Sequence, residues 1–149
     1  LLAQGITSGS RSRLIRNFQR FDKAILFGTS SFWEGVDIPG EDLSCLIIVR
    51  LPFSPPDEPL AEARRELNLE GGGNPFTELI LPEAVLRFKQ GFGRLIRTST
   101  DKGIIFVFDK RILTTSYGQA FLNSIPAVPI KRARIGEIIE FIHKWLPNK

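Results

Sequence analysis

Cys45-Leu46-Ile47-Ile48-Val49 and Ile104-Ile105-Phe106-Val107-Phe108, the second run ending at Asp109, decide the fold class. Both are continuously apolar instead of alternating, as expected of parallel strands covered on both faces. Ala24-Ile25-Leu26-Phe27, ending at Gly28-Thr29, reads the same way, and Leu1 to Gly5 reads as a short buried strand. Helical patterns separate these runs. Leu14, Ile15, Phe18 and Phe21 fall at helical spacing behind a possible cap at Ser8 or Ser10. Asp57 to Leu69 is rich in helix formers and is broken by Gly71-Gly72-Gly73-Asn74-Pro75. A further helix is expected from near Pro82 to Ile96, another over Leu113–Ser124, and a last one over Ile135–Leu146. Pro126 and Pro129 bracket a piece that reads as an edge strand. Strand and helix alternate throughout, which predicts a three-layer α/β domain with a mainly parallel sheet over residues 1–149.

Composition narrows the functions. The chain has 149 residues, 42% hydrophobic and 24% charged, enough to bury the core of one domain. No apolar run approaches the ~20 residues of a membrane span. Cys45 is the single cysteine, so neither an internal disulfide nor a cysteine-based metal cage can form within the chain, and a reducing compartment is favoured. The net charge of +4 permits a polyanionic partner without requiring one. His143 is the only histidine and has no second ligand in the pattern of a metal site. Methionine is absent, and Leu1-Leu2-Ala3 already reads as the inside of a fold, so the chain is expected to be a piece of something longer.

In open parallel sheets, ligands collect beyond the carboxyl ends of the strands. Two segments are expected there. The first, Gly28 to Gly40, offers the hydroxyls of Thr29, Ser30 and Ser31, a Trp at position 33, and Asp37 between glycines. Such hydroxyls can donate to phosphate oxygens, and Trp33 could stack on a base. Composition by itself favours an ordinary strand-to-helix turn, with Ser31 as cap and Phe32 and Trp33 in the core. In the second segment, Gln90, Arg94 and Arg97 stand at i, i+4 and i+7 and would share one helix face. Gly91 and Gly93 each cost that helix roughly 1 kcal/mol relative to alanine. Close approach of a ligand would offset this. Paired guanidiniums suit a triphosphate, being planar, permanently charged and bidentate. A surface helix with both arginines paired to acids such as Glu83 or Asp101 is equally compatible.

The two segments, taken in order, carry a resemblance. Gly28–Gly40 resembles motif V of superfamily 2 helicases, and Gln90–Arg97 resembles their motif VI, in the form Q-x-x-G-R-x-x-R. The run from Ser31 through Pro39-Gly40, then Leu51-Pro52-Phe53, then Pro82-Glu83-Ala84-Val85, then Gln90 to Arg97, is similar to the DinG branch of the DinG/XPD-like DNA helicases. The likeness is clear to about Arg111 and weaker beyond.

The resemblance implies a RecA-like (P-loop NTPase-like) fold and the second motor domain of a helicase. ATP with Mg2+ would lie between this domain and a first RecA-like domain of the same polypeptide, which would hold most of the metal's ligands. Arg94 and Arg97 would be arginine fingers, Gln90, Gly93, Gly35 and Asp37 would line the nucleotide site, and Thr29, Ser30, Ser31 and Trp33 would contact single-stranded DNA. A cytoplasmic, nucleoid-associated protein acting in DNA repair or replication follows, with no membrane partner. The chain has no Gly-x-x-x-x-Gly-Lys-Ser/Thr phosphate loop, so alone it should hydrolyse no ATP. Two other readings stand beside this one: a nucleic-acid-binding α/β module without motor activity, and a self-sufficient nucleotide-binding enzyme.

Overall fold

The computed structural model of the chain describes residues 1–6, 10–21, 23–29, 32, 38, 42–55, 59–96 and 101–146. Strand β1 is Leu2–Ala3, β2 Leu26–Phe27, β3 Cys45–Ile48 and β4 Ile104–Val107. Helix α1 is Arg11–Arg20, α2 Pro59–Glu70, α3 Leu81–Leu95, α4 Arg111–Thr114, α5 Gly118–Asn123 and α6 Ile138–Trp145. Both strand pairings are parallel: β1 with β2, Leu2 opposite Leu26, and β3 with β4, Cys45 opposite Ile104 through Ile48 opposite Val107. The four apolar runs therefore form strands, and α/β is the fold class.

The core lies against one face of β3 and β4. Ile48, Leu51, Ala84, Phe88, Ile112 and Phe121 form one buried cluster, joining the strand ends to α3, α4 and α5. Ala84 and Phe88 stand four apart on α3, so one helical stripe meets the sheet. Phe121 is fully buried, with its ring edge-on to Phe88 and Phe53. The opposite face differs from the expectation of full cover. Ile47 is 53% exposed, and Val49, just beyond the strand, is 66% exposed. Cys45, Ile104 and Phe106 on that side are half-buried, and Ile104 and Phe106 line a cleft with Phe141 and Trp145 of α6, so among the described residues this face is covered only in part.

Three local differences have local causes. The segment between α2 and α3 is a built turn. Gly71, Gly72 and Gly73 send their N–H groups back to Leu67, Leu69 and Asn68 carbonyls, and Gly72 sits at φ +76°, where side chains are disfavoured. Asn74 then accepts from the N–H groups of Phe76 and Thr77 through Oδ1, and a π-helical turn over Phe76–Ile80 leads into α3. The single helix expected over Leu113–Ser124 is two, because the backbone turns at Thr115. A Cβ at Gly118 would lie 2.3 Å from the Ile112 carbonyl oxygen, so only glycine admits that approach. The stretch between Pro126 and Pro129 forms no strand, since proline brings no N–H to a ladder. At the other end, Ser10 occupies the position before α1 as expected but makes no side-chain cap, and Ser8 lies outside the described residues.

Candidate functional site at the end of α3 and the strand tips

Gln90, Gly93 and Arg94 occupy the last turns of α3. Gln90 and Gly93 are exposed, and Arg94 is half-buried. The helix ends at Leu95, and Ile96 is extended at φ −117°, ψ 104°. Gln90 and Arg94 thus share a face at i, i+4, and Arg97 lies outside the described residues. The two glycines stand near the helix end. A Cβ on Gly93 would meet nothing within 4 Å. Nothing described in this chain therefore needs glycine there, although it costs the helix roughly 1 kcal/mol relative to alanine. Arg94 in the last turn complements the negative end of the helix dipole.

The end of α3 feeds the amino end of β4, through Asp101-Lys102-Gly103, and not a carboxyl tip as expected for both segments. Leu95 is packed so closely that a Cβ on Gly103 would lie 2.7 Å from it. Glu83, one acid considered for the arginines, is engaged elsewhere: Arg87 Nη2 reaches it at 2.7 Å, and the Ser54 hydroxyl donates to it at 3.2 Å.

Thr29 follows β2 directly, at its carboxyl end as expected. Its N–H and its hydroxyl both donate to Gln4 Oε1, at 3.1 and 2.8 Å. Gln4 follows β1, whose parallel pairing with β2 brings the two residues side by side. Sequence reasoning missed this amide because a lone glutamine after a two-residue strand has no pattern. Ser30, Ser31, Trp33, Gly35 and Asp37 lie outside the described residues. Phe32 is described and half-buried, with Arg11 5.7 Å above its ring.

The carboxyl ends of β3 and β4 carry a second constellation. Asp109 is buried, with its side chain 7% exposed. It accepts from the Leu51 N–H at 2.9 Å, from the Arg111 N–H at 3.0 Å and from Arg111 Nη2 at 2.6 Å. The Arg111 guanidinium, followed by these backbone donors, holds the carboxyl far below the usual carboxylate range. Arg111 in turn lies 5.3 Å from the Phe53 ring centre. The Leu51-Pro52-Phe53 and Pro82–Val85 segments are thereby structural: Leu51 and Ala84 are core, and Phe53 packs on Tyr117 and Phe76. Around this staple an open cleft of about 420 Å³ is lined by Val49, Arg50, Phe108, Asp109, Lys110 and Arg111.

Among the described residues no cluster of three His, Cys, Asp or Glu could hold a metal ion, and no helix is long and apolar enough to cross a membrane. Residues 1–128 match the family described as the helicase C-terminal domain. The chain is 49% identical over 142 residues to the 3'-5' exonuclease DinG of Bacillus subtilis, covering 95% of this chain and 15% of that protein. It is 44% identical over 142 residues to the ATP-dependent DNA helicase YoaA of Haemophilus influenzae, covering 95% and 22%. To the ATP-dependent helicase DinG of Mycobacterium tuberculosis H37Rv it is 42% identical over 126 residues, covering 85% and 19%. The chain thus spans about a fifth or less of the length of these relatives. With the family match covering most of its length, the chain belongs to the helicase C-terminal domain family, in its DinG-type branch.

Proposed function

We propose that this chain is the second RecA-like motor domain of an ATP-dependent DNA helicase, with a three-layer architecture completed by elements beyond those described. Arg94 and Arg97 reach across a cleft to the terminal phosphate of ATP bound chiefly by a first RecA-like domain. Their charge offsets that spread over the transferring phosphoryl oxygens. Gln90 and Gly93 face the same nucleotide, joined by Gly35 and Asp37. Thr29, Ser30, Ser31 and Trp33 hold single-stranded DNA. Hydrolysis removes the attraction that closes the cleft, so the domains part and the DNA contacts move with them. The same reading makes the protein a cytoplasmic one acting on the nucleoid.

The observation that carries this reading is Gly93. It stands exposed in a helix, one residue before a half-buried arginine, with open space where its side chain would be. A glycine that costs helix stability and relieves no contact described in its own chain fits a surface that something else must approach. Thr29 follows β2 at its carboxyl end, and because its N–H and hydroxyl proton both go to Gln4 Oε1, donation to a DNA phosphate requires that pair to open. The same reading assigns the Mg2+ that accompanies ATP mainly to the first RecA-like domain.

The test is ATP turnover by the intact protein carrying Arg94→Ala or Arg97→Ala. Loss of an arginine finger lowers turnover by ~10³-fold or more. Single-stranded DNA binding should persist in both variants. Wild-type turnover in either variant removes that arginine from the role. An intact protein that binds DNA but hydrolyses no ATP is a binding module instead.

A further inference from the structure

The cleft at the carboxyl ends of β3 and β4 is lined by three cations, Arg50, Lys110 and Arg111. The Phe108 N–H donates to the Ile48 carbonyl at 2.9 Å, so the ladder continues to the tips and fixes Arg50 beside Asp109 and Lys110. Of the three cations lining it, Arg111 is neutralised by Asp109. Arg50 and Lys110 are exposed, and among the described residues neither makes an ion pair. Phe108 lines the same cleft, 45% exposed, its ring stacked at 21° on Phe106. An exposed aromatic ring backed by another ring has a fixed orientation. Beside two cations that make no ion pair among the described residues, it gives the cleft the composition that holds single-stranded nucleic acid: a stacking surface for a base and charges for the neighbouring phosphates.

We propose that Arg50, Phe108 and Lys110 form a contact for single-stranded DNA at the tips of β3 and β4, with Phe108 under a base and the two cations on phosphates. This rests on the DNA-motor reading above, which brings a strand to this chain. The Asp109–Arg111 staple gives the site its rigidity: it ties the turn carrying Lys110 to the segment after Arg50 through the Leu51 N–H. A mononucleotide suits the place less well, because the cleft is open and its cations are exposed on its rim.

The experiment measures binding of a labelled oligothymidylate to the intact protein by fluorescence anisotropy over a range of salt concentrations. The R50A/K110A variant is expected to flatten the slope of log K against log salt by about 1.4, twice the ~0.7 released per single-strand phosphate. F108L is expected to weaken binding roughly tenfold with the slope unchanged. R50K/K110R is expected to keep the wild-type slope. All three positions are exposed, so unfolding temperatures should match wild type. If R50A/K110A does not match, K110Q alone carries the test at half the slope change. A wild-type slope after the charges are removed, or wild-type affinity in F108L, overturns the site. A wild-type protein that binds no oligonucleotide at any salt overturns the DNA reading itself, a result distinct from either.

Discussion

Replacing Asp109 by alanine tests the physical core of this structure most directly. The carboxylate is buried at the end of β4 and joins three things: the Leu51 N–H after β3, the Arg111 N–H at the start of α4, and the Arg111 guanidinium. Leu51 is 3% exposed, so its N–H would be left buried without a partner, a loss of about 1–3 kcal/mol. The ion pair adds less, about 0.5–1 kcal/mol, because the Arg111 side chain is 41% exposed and screened by solvent. The sum is about 1.5–4 kcal/mol, at least a ~10-fold fall in the folding equilibrium constant. The carboxyl is held below its ordinary value in the folded state. Its stabilisation is therefore present above the unfolded value near ~4 and is lost as pH falls below it. Urea unfolding followed by circular dichroism, together with hydrogen exchange at the Leu51 amide, reads both effects. Asp109→Ala should be far less stable than wild type at pH 7, and the gap should narrow below pH ~4. A gap under about 0.5 kcal/mol at pH 7, or one that stays constant into acid, refutes the staple.

Other expectations follow from single positions. Gly93→Ala should raise the stability of α3 by up to about 1 kcal/mol, since the added Cβ meets open space, while ATP turnover of the intact protein falls. Unchanged turnover would show that nothing approaches the helix there. Gly118→Ala should destabilise by about 1–3 kcal/mol, because the Cβ would collide with the Ile112 carbonyl; an unaltered urea midpoint would contradict the turn between α4 and α5. Phe121→Ala should cost about 3–5 kcal/mol as a fully buried ring between Phe53 and Phe88. A loss below 1 kcal/mol would mean that those rings do not form the core.

The sequence by itself determined the strands and the family. Cys45–Val49 and Ile104–Phe108 are apolar without interruption, and a parallel pair is the arrangement that rewards such runs. The order of the Gly28 and Gln90 segments carried the helicase resemblance, and the family match over residues 1–128 spans both segments. Local breaks were legible where a residue type forces them, as at Gly71–Gly73. Tertiary structure alone decided the rest. Asp109 looks like an ordinary strand end until Leu51, fifty-eight residues earlier, is folded against it. Gln4 becomes a partner of Thr29 only when β1 and β2 lie side by side. The Arg94 helix runs to the amino end of β4, a matter of which way the chain returns, and periodicity holds no information about that. Spacing along a chain records which residues share a face; which distant group faces them is set by packing, where burial and unpaired polar groups act between segments that the sequence keeps apart.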